Sequence, residues 1–500
     1  MLRVFENLGS IGLVTDQPVQ KLPPAAWTDA SNVRFQDGRV KKMTGHSTYL
    51  ASPNASEVYY VLGAKKSYSE YTIYHSGNKL YSYDGTTSTD ITPADDGTFN
   101  HSDPTGDTHA FLPGGVIVIN NENDLGPVYT VAGSSVPVVQ RLPAWPTLLK
   151  TTLIRSYKNF LFALSNEIGS ASYPEQIRWS NRADPGAPPS SWDETDTTQP
   201  TGIATLPFEG FIMDAAELRD SLIIYQENHI YQLDEIGGAS IFSLRRIFQG
   251  AGAANKRCVA PIKEGHVVLG STDIYYHDGS KIESIVEDRV RKSIFSEFNI
   301  AYNPYVFPNS NQSEVWFCIP TQSINDLGSD TAWVWDYSNN TWSKRDIPNS
   351  LFAAEIDIGG NYKSNLKTPI LASLADNSLL KLDDTEQFAG TNMTAYVERR
   401  CLPLGERGEM DLRRMKYVRE ITPQITGTAG GVVNVYVGRR DSIDGTRTWE
   451  GPFPYTIGTT RKIDCRVSGR VIDIKFESTT NITWELTEYG VDYRLSDARR

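Results

Sequence analysis

Leu80-Tyr81-Ser82-Tyr83-Asp84-Gly85 and Ile274-Tyr275-Tyr276-His277-Asp278-Gly279 are two copies of one pattern, an alternating aromatic strand that runs into Asp-Gly. Asp-Gly after such a strand is the strongest short hairpin signal a sequence offers. Looser copies stand at Val33-Arg34-Phe35-Gln36-Asp37-Gly38, Ile230-Tyr231-Gln232-Leu233-Asp234, Val334-Trp335-Asp336-Tyr337 and Leu379-Leu380-Lys381-Leu382-Asp383. The aspartates step by 47 residues from 37 to 84, 44 from 234 to 278, 58 from 278 to 336 and 47 from 336 to 383. The 150-residue gap between Asp84 and Asp234 has room for three such steps and holds two apolar strands, Val116–Asn120 and Phe160–Leu164. A unit of this length with several short strands is the size of a propeller blade, and repetition at that period is the usual sequence trace of one. The spacing therefore predicts an all-β chain with a β-propeller of six to eight blades, against the simpler alternative of an ordinary β-rich protein with scattered Asp-Gly turns.

The 500 residues exceed what one core fills, so further units are expected beside the propeller. Residues 1–45 carry Pro18, Pro23 and Pro24 and read as an extended N-terminal arm, with one helical turn at Ala25–Asn32. The repeat occupies about 46–390, with an ordered insertion at about 167–207 that includes Trp179 and Trp192. From 395 the strands lengthen and alternate strictly, as in Val432–Gly438 and Arg461–Phe476, which predicts a β-sandwich over 395–500. The clearest helical stretch is short, Asp288–Phe295.

The net charge of −12 is uneven: 396–500 hold 18 Lys and Arg against 15 Asp and Glu, leaving −15 on 1–395. An acidic body is poor at capturing phosphate, although a merely solvated surface accounts for the acidity as well. Cys258, Cys318, Cys401 and Cys465 form no CxxC pair and give no sign of zinc or of a required disulfide. No apolar run approaches 18 residues, and the start lacks the order of a signal peptide, so the expectation is a soluble chain made in the cytoplasm, with no membrane segment.

Seven histidines form no HExxH or HxH, and no GxSxG, Walker A or GxGxxG pattern occurs. No catalytic residue, cofactor or metal is expected. The acidic stretch Asp95-Asp96-Gly97 through His101, Asp103, Asp107 and His109 does not have the spacing of an EF-hand and reads as a solvated turn. Ser442-Ile443-Asp444-Gly445-Thr446-Arg447-Thr448-Trp449 resembles the Asp-box of sialidase propellers, but its glycine comes one position early and the motif occurs once, outside the repeat.

The stretch Gly12-Leu13-Val14-Thr15-Asp16 with Leu22–Gly38, which includes Trp27, resembles the N-terminal signature of tail tube or nozzle proteins of short-tailed, podovirus-type bacteriophages. Ile177-Arg178-Trp179-Ser180, Ser221–Tyr231, Gly250–Arg257 and Trp333-Val334-Trp335-Asp336 with Trp342 resemble the body of that family. The resemblance implies a homohexameric ring in the virion tail that serves as a conduit for genome ejection and helps retain packaged DNA. Its implied partners are a portal-adaptor (head-to-tail connector) protein, tail fibre or spike proteins, and duplex DNA that passes without tight binding. It brings no active site and no cofactor. Trp27, Trp179 and Trp342 are expected as core anchors, and Gly38, Gly85 and Gly279 as hairpin turns. Two alternatives stay open: a glycan-binding or glycan-degrading propeller tail component, and a monomeric peptide-binding propeller.

Overall fold

A computed structural model describes residues 1–53, 56–66, 69–93, 104–131, 137–238, 240–322, 327–357 and 367–496. It is a β-propeller joined to a β-sandwich. Five blades are separate four-stranded antiparallel sheets in sequence order: 58–90, 107–141, 149–205, 212–249 and 259–284, blades 1 to 5. Blades 6 and 7 share a nine-stranded sheet, because the single strand Thr341–Ile356 serves as the outer strand of blade 6 and then as the inner strand of blade 7.

The ring closes through the chain's early residues. His46–Leu50 forms the outermost strand of blade 7, with Leu382 opposite His46 and Leu379 opposite Leu50. Apolar clusters fill the gaps between blades. Tyr60, Leu62, Ile117 and Val128 pack between blades 1 and 2, Leu161 and Trp192 between 2 and 3, and Tyr74, Ile356 and Ile370 between 7 and 1. Blade faces are thus buried on both sides, which explains near-continuous apolar runs such as Phe160–Leu164, all fully buried.

The spaced aspartates mark one place in the blade. Asp84, Asp278 and Asp336 lie at the turn between third and fourth strands of blades 1, 5 and 6. Each carboxylate accepts the backbone N–H groups two and three residues on: Thr86 and Thr87 at 2.8 and 2.7 Å, Ser280 and Lys281 at 2.9 and 2.8 Å, Ser338 and Asn339 at 2.8 and 3.0 Å. Asp234 and Asp383 stand at the ends of the third strands of blades 4 and 7. Asp37-Gly38 is the exception: it turns a hairpin between Val33–Gln36 and Arg39–Lys42 in the sandwich.

The insertion expected at 167–207 belongs largely to blade 3. Ala171–Trp179 and Gly202–Thr205 are its third and fourth strands, and the excursion is the turn between them, 180–201. That turn sends Trp192 into the gap beside Trp145, ring centroids 4.8 Å apart.

Residues 1–45 are no free arm. Leu2–Phe5, Val33–Gln36 and Arg39–Lys42 join Lys416–Gly427, Ile463–Gly469 and Trp484–Leu495 in one sandwich sheet. Asp29–Ser31 joins the other, beside Ala395–Arg399, Val432–Arg440, Thr448–Thr456 and Val471–Ser478. The prolines fall between these short strands and do not interrupt them, while Ala30, Val33, Phe35 and Val40 supply buried apolar contacts. At Ala25–Asn32 the expected helical turn is replaced by the strands Ala26–Trp27 and Asp29–Ser31; a turn of 3-10 helix lies earlier, at Val19–Lys21. The one α-helix among the described residues is Arg291–Glu297, which overlaps the expected stretch Asp288–Phe295 but starts three residues later and ends two residues beyond it.

Candidate functional site

The propeller axis gathers one or more side chains from each blade. Arg257, just before the inner strand of blade 5, reaches across the ring. Its Nη2 donates to the carbonyls of Asp107 (2.7 Å) and Thr105 (3.1 Å) at blade 2, and its Nη1 to Leu351 of blade 7 (3.3 Å). The guanidinium also covers the rings of Tyr60 of blade 1 and Phe352 of blade 7, at 4.8 and 5.0 Å. These two rings stack on each other at 4.4 Å.

Arg155 of blade 3 supplies the second set of ties. Its Nη2 lies 2.5 Å from Asp214 Oδ1 of blade 4, its Nε donates to Ala215 O at 2.9 Å, and its Nη1 reaches His109 O of blade 2 at 3.3 Å. The other Asp214 oxygen accepts the Arg257 N–H at 3.2 Å. Tyr305 of blade 6 completes the circuit, with its hydroxyl 2.8 Å from Ser350 Oγ of blade 7.

Tyr60 Oη and His109 Nδ1 lie 2.5 Å apart. Burial, helped by the charges of Arg155 and Arg257, pushes the His109 imidazole down to about 3, and burial pushes the Tyr60 phenol up. Near neutral pH the imidazole is uncharged and Tyr60 donates to it, which leaves its Nε2 as an N–H donor. Two guanidinium groups bound to carbonyls and one carboxylate form a lock on the axis.

Beyond one end of this hub lies a pocket of about 350 Å³ walled by the inner edges of blades 7, 1 and 2, where Glu70, His109, Phe111, Glu355, Asp357 and Lys367 meet. Among the described residues no group of three His, Cys, Asp or Glu is arranged to hold a metal ion. The Asp95-to-Asp103 stretch lies outside the described residues. Of its neighbours, Asp107 bonds His75 Nδ1 and, at 3.0 Å, Asn121, tying blade 1 to blade 2.

The residues singled out from sequence are not gathered into one place. Trp27 is buried in the sandwich and donates to Leu8 O at 2.7 Å. Trp342 is buried in blade 6 and donates to Ile285 O at 2.9 Å, and Trp179 of blade 3 is half-buried against Phe242 of blade 4. Gly38, Gly85 and Gly279 sit in their three turns at φ of 73°, 93° and 90°. The Asp-box-like stretch is a sandwich loop that runs into the strand Thr448–Thr456, and its Arg447 bonds Glu398 and covers the Trp449 ring at 4.5 Å.

Sequence reading missed the axis because its members are scattered over six different strands and, for Arg257, the segment before a seventh, with no common spacing. It also missed a buried staple between blades 4 and 5. Tyr225 Oη lies 2.6 Å from both His266 Nδ1 and His277 Nε2. His266 Nε2 donates to Glu217 O at 2.9 Å, and His277 Nδ1 accepts from Gly279 N at 3.2 Å, so the hydroxyl donates to His266 and accepts from His277.

No protein-family model and no curated protein sequence matches the chain. Solved structures similar in shape include virginiamycin B lyase from Staphylococcus aureus, at 10% identity and TM-score 0.43 over 67% of this chain and 98% of that one. YCF48 from Cyanidioschyzon merolae gives 11% and 0.39 over 68% and 98%, and the Pan2 WD40 domain of Neurospora crassa 11% and 0.38 over 70% and 97%. Likeness this distant carries nothing about function. No helix among the described residues is long and apolar enough to cross a membrane.

Proposed function

We propose that the chain is a virion structural protein that forms the ring-shaped tail nozzle or tube of a short-tailed bacteriophage, as a homohexamer through which the genome is ejected. The observation that carries this reading is where the nozzle-like N-terminal stretch lies. Gly12–Gly38 supplies strands to the sandwich, the Trp27 anchor and the Arg34 tie to blades 6 and 7. The resembling residues are therefore architectural, as in a wall component. Because Arg257 and Arg155 cross the propeller axis, the conduit in this reading runs between copies of the chain and not through a blade ring.

The acidic body fits a conduit, since each Lys or Arg contact to phosphate adds salt-sensitive affinity that would slow passage. The portal-adaptor and tail fibre or spike proteins are its partners in the virion. Such a ring closes by heterologous contacts related by rotation. Mass photometry and negative-stain imaging of the purified protein test the proposal: a six-fold ring with a central channel is expected, and a monomer at micromolar concentration overturns it. Duplex DNA should bind negligibly at any salt concentration.

A further inference from the structure

The pocket of about 350 Å³ at the axis end has no part in the ring reading, and its chemistry is specific. Phe111 is 52% exposed although it sits on an inner strand, where its neighbours Ala110 and Leu112 are buried. It meets His109 edge-on at 4.9 Å. A large exposed ring in a concave wall is a platform for an apolar face.

The polar groups around it carry both signs. Glu70, Glu355 and Asp357 bring carboxylates and Lys367 an ammonium. Glu355 is held in place by Ser310, whose N–H and Oγ–H both donate to it, the latter at 2.7 Å. The His109 ring, neutral and accepting a hydrogen bond from the Tyr60 hydroxyl, keeps an Nε2–H that has no partner among the described residues. A simple cation meets Lys367 here and a simple anion meets the carboxylates. A neutral polyhydroxyl ligand uses both, with its hydroxyls donating to the carboxylates and accepting from Lys367 and His109.

We propose that this pocket binds a mono- or disaccharide unit, with the C–H face of a pyranose on Phe111 and its hydroxyls on the carboxylates, Lys367 and His109. The volume lies at the small end of ligand sites, which suits one or two sugar rings and not a peptide. The site is independent of the ring: it is built from one chain and stands whether or not copies assemble.

Saturation-transfer NMR on the full chain tests this with glucose, galactose, mannose, N-acetylglucosamine and lactose, and with arginine methyl ester as a cationic probe. At least one sugar should receive saturation, and Phe111→Ala should reduce that transfer at least fivefold. Phe208→Ala, which removes an exposed ring on the blade 3 to blade 4 connection, should leave it unchanged. Both rings are exposed, so both variants should keep the wild-type melting temperature. Transfer to none of the sugars, transfer untouched by Phe111→Ala, or transfer to the arginine ester alone overturns the assignment.

Discussion

Arg34 and Asp383, 349 positions apart in sequence, meet in a buried ion pair of 2.6 Å that ties the sandwich to the last blade. The same guanidinium holds Glu314 of blade 6 through Nε at 2.6 Å, and Asp383 also takes Arg345 at 2.8 Å and Asn309 at 2.7 Å. Trp316 donates to Glu314 at 2.9 Å and lies under Arg345 at 4.5 Å. Burial alone raises the Asp383 carboxyl, but Arg34 and Arg345 outweigh it and hold it below the usual range. Removing one member strands its partners in a dry site, and that loss exceeds the net worth of the pair. Arg34→Ala should destabilise the chain by about 3–5 kcal/mol, read from urea unfolding at pH 7. A midpoint unchanged from wild type would mean that water reaches the knot and solvates it.

Acid should weaken the fold well before carboxylates protonate. Burial drives His46 down to about 4 and His109 and His277 to about 3, with Arg345, the Arg155 and Arg257 pair, and His266 respectively adding to it. Their folded values lie below the unfolded one near 6.5, so between these limits the unfolded chain binds more protons. Their share of stability is intact above about pH 6.5 and declines as pH falls toward the folded values. Each histidine contributes a slope of up to about 1.4 kcal/mol per pH unit in that window. The urea midpoint measured at pH 7, 6, 5 and 4.5 should fall steadily, and the loss of Asp383 ionisation should add to it at lower pH. A flat profile from pH 7 to 5 contradicts the neutral buried imidazoles.

Much of this fold was legible in the sequence for a local reason. Asp84, Asp278 and Asp336 cap their own turns with backbone contacts two and three residues away, and such contacts leave a short fixed pattern. Asp37 has the same spelling but serves the sandwich, because a hairpin turn does not record which sheet it belongs to. Leu2–Phe5 and Asp29–Ser31 could not be read as sandwich strands since their partners come more than 350 positions later: Leu2 pairs with Asp492 and Ala30 with Val397. The axis fails for the same reason, as Arg257 bonds carbonyls, which every residue has.

Tyr225→Phe tests the histidine staple. It removes one hydroxyl and leaves His266 Nδ1 and the His277 Nε2–H buried without their partner. A cost of about 1–3 kcal/mol is expected, from the desolvation of groups left unpaired. Thermal unfolding of the purified variant checks it, and stability equal to wild type would show that the two imidazoles re-pair with each other.

Gly202 tests how tightly blade 3 closes around Trp179. A Cβ at 202 would stand 2.4 Å from Trp179 Cζ2, so the indole must move to admit it. Gly202→Ala should cost about 1–3 kcal/mol as overpacking and shift the tryptophan emission to the red as Trp179 is displaced toward water. An unshifted spectrum with full stability would place the indole elsewhere.

Deleting residues 1–45 separates an arm from a structural element. An arm could be removed to leave a folded chain that no longer assembles. Here the deletion takes four strands from the sandwich, the Trp27 bond to Leu8 and the Arg34 knot, and strips the cover from Phe476 and Tyr489, which pack on Trp27 at 6.5 and 6.3 Å. Exposing that much buried apolar surface costs more than the margin of about 5–15 kcal/mol by which domains are stable. The truncated chain should be insoluble or bind a hydrophobic dye at 25 °C, and its near-ultraviolet circular dichroism should collapse. A soluble, cooperatively unfolding monomer would show instead that the propeller and the C-terminal strands hold together without the segment that here fastens them.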